Sequence, residues 1–118
     1  MKIFILLALV FSLTIKRGYA ATALSGKELI EQSEHYEKCS KEYDSEYSLY
    51  TGAFMGYVVA IAECGNGIFF DMPQNSQRKQ VFAVVVKYLK NNPSEWHKRG
   101  QSLVIDALQE AFPLKKKD

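Results

Sequence analysis

Apolar positions recur along most of the chain at the three- and four-residue spacing of helices, interrupted at a few well-marked points. Ser25-Gly26-Lys27-Glu28 has the spacing of a capping box, a serine oxygen for the N3 amide and a glutamate reaching back. It predicts a first helix to about Tyr43, with Leu29, Ser33, Tyr36 and Ser40 near one face and Glu31, Glu34 and Glu37 outward. Asp44-Ser45 offers a break and a new cap. A second helix is predicted from about Glu46 to Cys64, with Tyr47, Tyr50, Phe54, Tyr57, Val58 and Ile61 at helical spacing. Gly65-Asn66-Gly67 should stop it, since Gly and Asn take up the left-handed closing conformation at little steric cost.

Ile68 to Asn75 reads as a loop, apolar at Ile68-Phe69-Phe70 and then Asp71-Met72-Pro73. Ser76 is the candidate cap of a third helix through about Lys90, carrying Val81, Val84, Val85, Tyr88 and Leu89. The β-branched stretch Val81–Val86 resembles a strand in composition, but its flanks and the Val81/Val85/Tyr88/Leu89 spacing favour helix. Asn92, Pro93 and Glu95 fit the cap, N1 and N3 positions of a fourth helix. That helix carries Trp96, Leu103, Val104, Ala107, Leu108 and Phe112 and ends before Pro113. The fold class expected is all-α, a single small domain of about four helices.

The first twenty residues do not belong to this pattern. Met1-Lys2 precedes an apolar run from Ile3 to Ile15, followed by small residues at Ala20, Ala21 and Ala23. This is the layout of a secretory signal, and the run is short of the ~20 residues a spanning helix needs. Cleavage after Ala20 (or Ala23) is expected, leaving residues 21–118 as a helical domain with a short basic tail at Lys115-Lys116-Lys117. Lys16-Arg17 beside the cleavage zone is atypical, so an uncleaved anchor is the alternative. After cleavage no stable membrane anchor remains.

Removing 20 of 118 residues takes Lys2, Lys16 and Arg17 with them and leaves 12 cations against 13 carboxylates. The balance hides a division. Glu28, Glu31, Glu34, Glu37, Glu42, Asp44, Glu46 and Glu63 face only Lys38 and Lys41 in the first half. Arg78, Lys79, Lys87, Lys90, Lys98 and Arg99 face only Glu95 in the second. The two halves can pair with each other, or the acidic half can face a partner. Without a basic excess, a nucleic-acid partner is not expected.

Two cysteines are too few for a four-cysteine zinc site. Cys39 and Cys64 are the candidate disulfide, since an exported chain can oxidise and the closed loop would add about 3.5 kcal/mol in the chain-entropy model. A plain hairpin of the first two helices would hold them on the order of 20 Å apart, so a bridge demands a broken helix or a steep crossing. The alternative is two buried thiols. Gly52, Gly56 and Ala60, every fourth residue of helix two, let another backbone approach closely, either within the chain or across a subunit seam. Tyr43, Tyr47 and Tyr50 near the helix junction divide between core and candidate interface anchors. His35 and His97 stand apart from any ligand cluster, and nothing fixes the separation of Glu63 and Asp71. No phosphate loop, Ser/His/Asp order or hydrolase elbow is present, so neither catalysis, a metal nor a cofactor is expected. The residues alone describe a small exported helical binding module.

A longer series adds to this. Gly56-Tyr57-Val58, Met72-Pro73, Gln80-Val81-Phe82 and Val85-Val86-Lys87-Tyr88-Leu89 lead to Asn92-Pro93-Ser94-Glu95-Trp96-His97. Leu103-Val104-Ile105, Ala107-Leu108 and Ala111-Phe112-Pro113 close it. Over about residues 50–114 this resembles the Rap/Tai family of immunity proteins, periplasmic partners of type VI secretion toxins in Gram-negative bacteria. The family commonly has one Cys just before the Met-Pro and another after the closing Phe-Pro. Here those places hold Phe70-Asp71 and Leu114, both lost together, and Ala60 stands where a Gly is usual.

The resemblance implies a non-catalytic periplasmic inhibitor, often a homodimer, that blocks the cleft of a peptidoglycan amidase toxin and so protects the producing cell and its kin. Ile68–Asn75 is the expected blocking segment, with Phe69 and Phe70 as anchors and Asp71 and Met72 beside them. The alternative is that the two Phe seal the domain's own core. The rival function is a small periplasmic acid-stress chaperone that binds unfolded clients, for which the clustered carboxylates would be the trigger. A secreted hydrolase lacks a nucleophile–base pair.

Overall fold

In the computed structural model, residues 23–41 and 45–117 are described. Among the described residues four helices carry the fold: α1 (Gly26–Lys41), α2 (Ser45–Gly65), α3 (Arg78–Asn91) and α4 (Gly100–Ala111). A 3-10 turn, Pro93–Glu95, lies between α3 and α4. Two isolated bridges, Ser25 with Arg99 and Asn66 with Phe70, are the only β pairing among the described residues. The domain is all-α. The signal-like residues 1–20 lie outside the described residues.

The capping box forms as its spacing requires. Glu28 N–H donates to Ser25 Oγ (3.2 Å), while Ser25 N–H donates to Glu28 Oε2 (2.9 Å). Those bonds favour the charged carboxylate and hold Glu28 below the ordinary glutamate range, the backbone bond from Ser25 contributing most. From that start α1 buries Leu29, Ile30 and Ser33 and leaves Glu31 and Glu34 in water. Ser33 Oγ donates back to the Ile30 carbonyl at 2.7 Å, which satisfies its buried hydroxyl.

α2 runs back along α1 and presents Phe54, Val58 and Ala62 to the core. The His35 and Tyr50 rings stack 4.7 Å apart and fix the register of this hairpin. One turn further in, Tyr36, Phe54 and Phe82 form an aromatic triangle with centroids 5.3–6.2 Å apart, which ties α1 and α2 to α3. α3 adds Val81, Val85 and Leu89, and α4 closes the core with Leu103, Val104 and Leu108. Val81–Val86 is therefore helical, and its β-branched residues serve as the packing face.

Two helix starts differ from the pattern reading. α3 begins at Arg78 with Gln77 in the cap position, not Ser76, and no side chain caps it. The Ser76 hydroxyl is buried without a partner among the described residues. Asn92-Pro93 opens only the 3-10 turn, and the fourth helix waits until Gly100. The backbone there is recruited by the entry to α1: Gly26 N–H donates to Lys98 O and Gly100 N–H to Leu24 O, each 2.8 Å. A continuous helix through 93–112 would bury those groups in its own ladder and forfeit the latch. Gly26 is indispensable in it. A Cβ at Gly26 would sit 2.5 Å from the Trp96 carbonyl oxygen and 2.7 Å from that of Lys98.

Candidate functional site

The loop after α2 is a built structure. Gly67 takes the left-handed conformation (φ +81°) that stops the helix, and Asn66 keeps a negative φ. The Ile68 and Phe69 amides both donate to Gly65 O, at 3.0 and 2.9 Å, and Gly67 N–H donates to Phe70 O at 2.7 Å. Asn66 Oδ1 accepts from the Met72 amide at 2.9 Å, so the loop's exit is tied to its entrance. A second tie comes from the C-terminal segment. Asp71 N–H donates to Phe112 O (3.0 Å) and Lys115 N–H donates to Asp71 Oδ2 (2.5 Å).

This geometry divides the four predicted contact residues. Phe70 is 0% exposed, its ring laid on Gly65 where a Cβ would come within 2.9 Å. It belongs to the core, so the sealing alternative describes it and the anchor reading does not. Asp71 uses its carboxylate on the chain's own tail, and Met72 is half-buried against the core. Phe69 is 44% exposed, and Ile68, which the pattern did not single out, is 63% exposed. The presented tip is therefore Ile68-Phe69. Phe69 edges a hollow of about 280 Å³ with Tyr57, Ile61, Cys64, Gln101 and Ile105. Burial raises the Tyr57 phenol above its ordinary range, against a lowering bond from the Gln101 backbone. The places at which the resemblance puts a cysteine pair are adjacent here, joined instead by the Asp71 clamp.

The other candidates are dispersed. Both thiols are free, Cys39 half-buried and Cys64 exposed. No disulfide joins them, because α1 stays unbroken and the His35–Tyr50 register leaves them more than about 20 Å apart along the hairpin. Neither half of the expectation holds for Cys64, which is not buried either. Gly52, Gly56 and Ala60 are exposed, and a Cβ at either Gly would meet nothing within 4 Å. The stripe meets no packed neighbour at its two glycines among the described residues, and at Ala60 it borders the Phe69 hollow. It continues an exposed apolar flank of α2 with Leu49, which is 76% exposed. Tyr50 is half in water against His35, while Tyr43 and the Tyr47 side chain lie outside the described residues. His97 Nδ1 lies 3.0 Å from Ser94 O, a local structural bond.

Charge pairs in part across the two halves. Lys90 Nζ meets Glu37 Oε2 at 2.7 Å. Lys98 holds Glu95 by hydrogen bond and approaches Asp106 at 3.8 Å, which keeps Glu95 low and Lys98 high. Among the described residues no three His, Cys, Asp or Glu side chains are grouped to hold a metal ion. No helix among them is long and apolar enough to cross a membrane.

Residues 25–114 match the family model of the Rap1a immunity proteins. No curated protein matches the chain.

Proposed function

Because the chain belongs to the Rap1a immunity protein family, whose members act by binding a partner toxin, we propose that it is a non-catalytic periplasmic inhibitor of a type VI peptidoglycan amidase. The observation that carries the mode of binding is the tip. Two large apolar side chains stand in water on a loop whose backbone is fixed at both ends, by Asn66 and by the Asp71 clamp. A preorganised loop loses little conformational freedom on docking, so more of its contact energy appears as affinity. An aromatic residue beside an aliphatic one is also the composition of an interface hot spot. Ile68 and Phe69 are assigned as the anchors that enter the toxin's cleft. The exposed α2 flank through Leu49, Gly52, Gly56 and Ala60 is assigned to the seam of a homodimer, where absent side chains let two backbones approach.

Periplasmic co-expression with each of a panel of type VI peptidoglycan amidase effectors tests the reading. Survival of the co-expressing cells, with nanomolar binding of the purified pair, is the expected result. Lysis at full expression of the soluble protein, across the whole panel, would refute it.

A further inference from the structure

α3 carries Arg78, Lys79, Lys87 and Lys90 and not one carboxylate. Lys79, Ala83, Lys87 and Lys90 are spaced to form one stripe along the flank that faces the C-terminal half of α1. Between that stripe and α1 lies a hollow of about 340 Å³, within the range of small binding pockets. Its floor is apolar, from Tyr36, Ala83 and Val86, and its rim is cationic. The Lys90–Glu37 pair closes one end, while Lys79 and Lys87 form no ion pair among the described residues. Like charges held around an apolar recess repel one another, and a bound anion relieves that repulsion.

We propose that this trough is a second interaction site, which takes an acidic segment of a partner protein in which an aromatic or aliphatic side chain is flanked by carboxylates. The apolar side chain would enter the recess over Val86 and Ala83, and the carboxylates would meet Lys79 and Lys87. A protein segment fits better than an anionic lipid surface. Membrane-surface helices push apolar side chains outward between their cations. Here the apolar floor is recessed, with Val86 only 8% exposed. The trough shares no lining residue with the hollow at Phe69, so the proposal does not rest on the toxin-binding reading.

The test is an NMR titration of the ¹⁵N-labelled protein with the capped peptide Glu-Glu-Phe-Glu-Glu. Saturable shifts centred on the amides of Lys79, Ala83, Val86 and Lys87 are expected. The Lys79→Glu/Lys87→Glu variant should weaken binding about tenfold, since exposed pairs contribute modestly and reversal adds repulsion. Raising the salt should weaken it further, and the peptide Lys-Lys-Phe-Lys-Lys should not bind. Both lysines are exposed, so the variant should keep its urea midpoint; if it does not, Lys79→Gln/Lys87→Gln replaces it. Absence of saturation, equal binding by the folded variant, or shifts centred on Phe69 would overturn the proposal. So would binding to anionic phospholipid vesicles without binding to the acidic peptide, which would make the trough a lipid site.

Discussion

Phe69 and Phe70 are neighbours in sequence with opposite roles, and alanine at each separates stability from binding. Phe70 is fully buried, with its ring against the Gly65 backbone. Truncating such a side chain costs about 3–5 kcal/mol, the lost transfer energy plus the cavity left behind. For a domain of this size total stability is about 5–14 kcal/mol, so Phe70→Ala should remove a large share and lower Tm by at least ~12 °C. Phe69 keeps 44% of its surface in water, and its removal should cost less than about 1.5 kcal/mol of stability. Urea denaturation of both variants measures this, with the slope unchanged and only the midpoint moving. In binding the order reverses. Loss of an aromatic anchor costs about 2 kcal/mol or more, roughly thirtyfold in Kd. If Phe69→Ala destabilised the fold as much as Phe70→Ala, the division of the loop into tip and core would be wrong.

Three further outcomes follow from the same contacts. Gly26→Ala should fail to fold or lose at least about 3 kcal/mol, since a Cβ there meets two carbonyl oxygens that cannot move without breaking the latch to Lys98; circular dichroism and thermal melting report it. Asp71→Cys with Leu114→Cys should oxidise to a bridge across the clamp and raise stability by about 2–3 kcal/mol, the loop-closure gain of about 4 less the lost carboxylate bond. Peptide mapping and denaturation with and without reductant check it, and a variant that stays reduced in oxidising buffer would show the two places too far apart. Glu28 and Glu95 have folded-state pKa values below their ordinary ones, so their stabilisation is present above that range and disappears as pH falls through the depressed values. Stability should therefore decline in acid, and Glu28→Gln should flatten that decline in a urea midpoint series against pH.

Most of the architecture was legible because it rests on local rules. The Ser25/Glu28 box, the Gly67 stop and the periodicity of Val81, Val85 and Leu89 each act within a few residues, and each appears as read. What the pattern missed depends on partners distant in sequence. Asn92-Pro93-Glu95 is a good helix start, yet the backbone at 98–100 is claimed by Leu24 and Gly26 some 75 residues earlier. No local propensity announces that bond. The same holds at the loop. Composition marks Ile68-Phe69-Phe70 as apolar, but only the turn at Gly67 decides that Ile68 and Phe69 face water while Phe70 faces the core. The small-residue stripe on α2 leaves both intrachain packing and a subunit seam open in the sequence; among the described residues a Cβ at Gly52 or Gly56 meets nothing within 4 Å. For the cysteines, export context favours the Cys39–Cys64 bridge while helix rise along a plain hairpin opposes it, and both thiols are free.

The measurement that bears most directly on the central claim is the affinity of the purified protein for a peptidoglycan amidase effector that it protects against in co-expression, with Phe69→Ala and Ile68→Ala measured in parallel. The account predicts nanomolar binding by the wild type, a loss of about thirtyfold or more for Phe69→Ala, and an unchanged fold in both variants. Tight binding that neither substitution weakens would contradict it, and would move the inhibitory surface away from the tip.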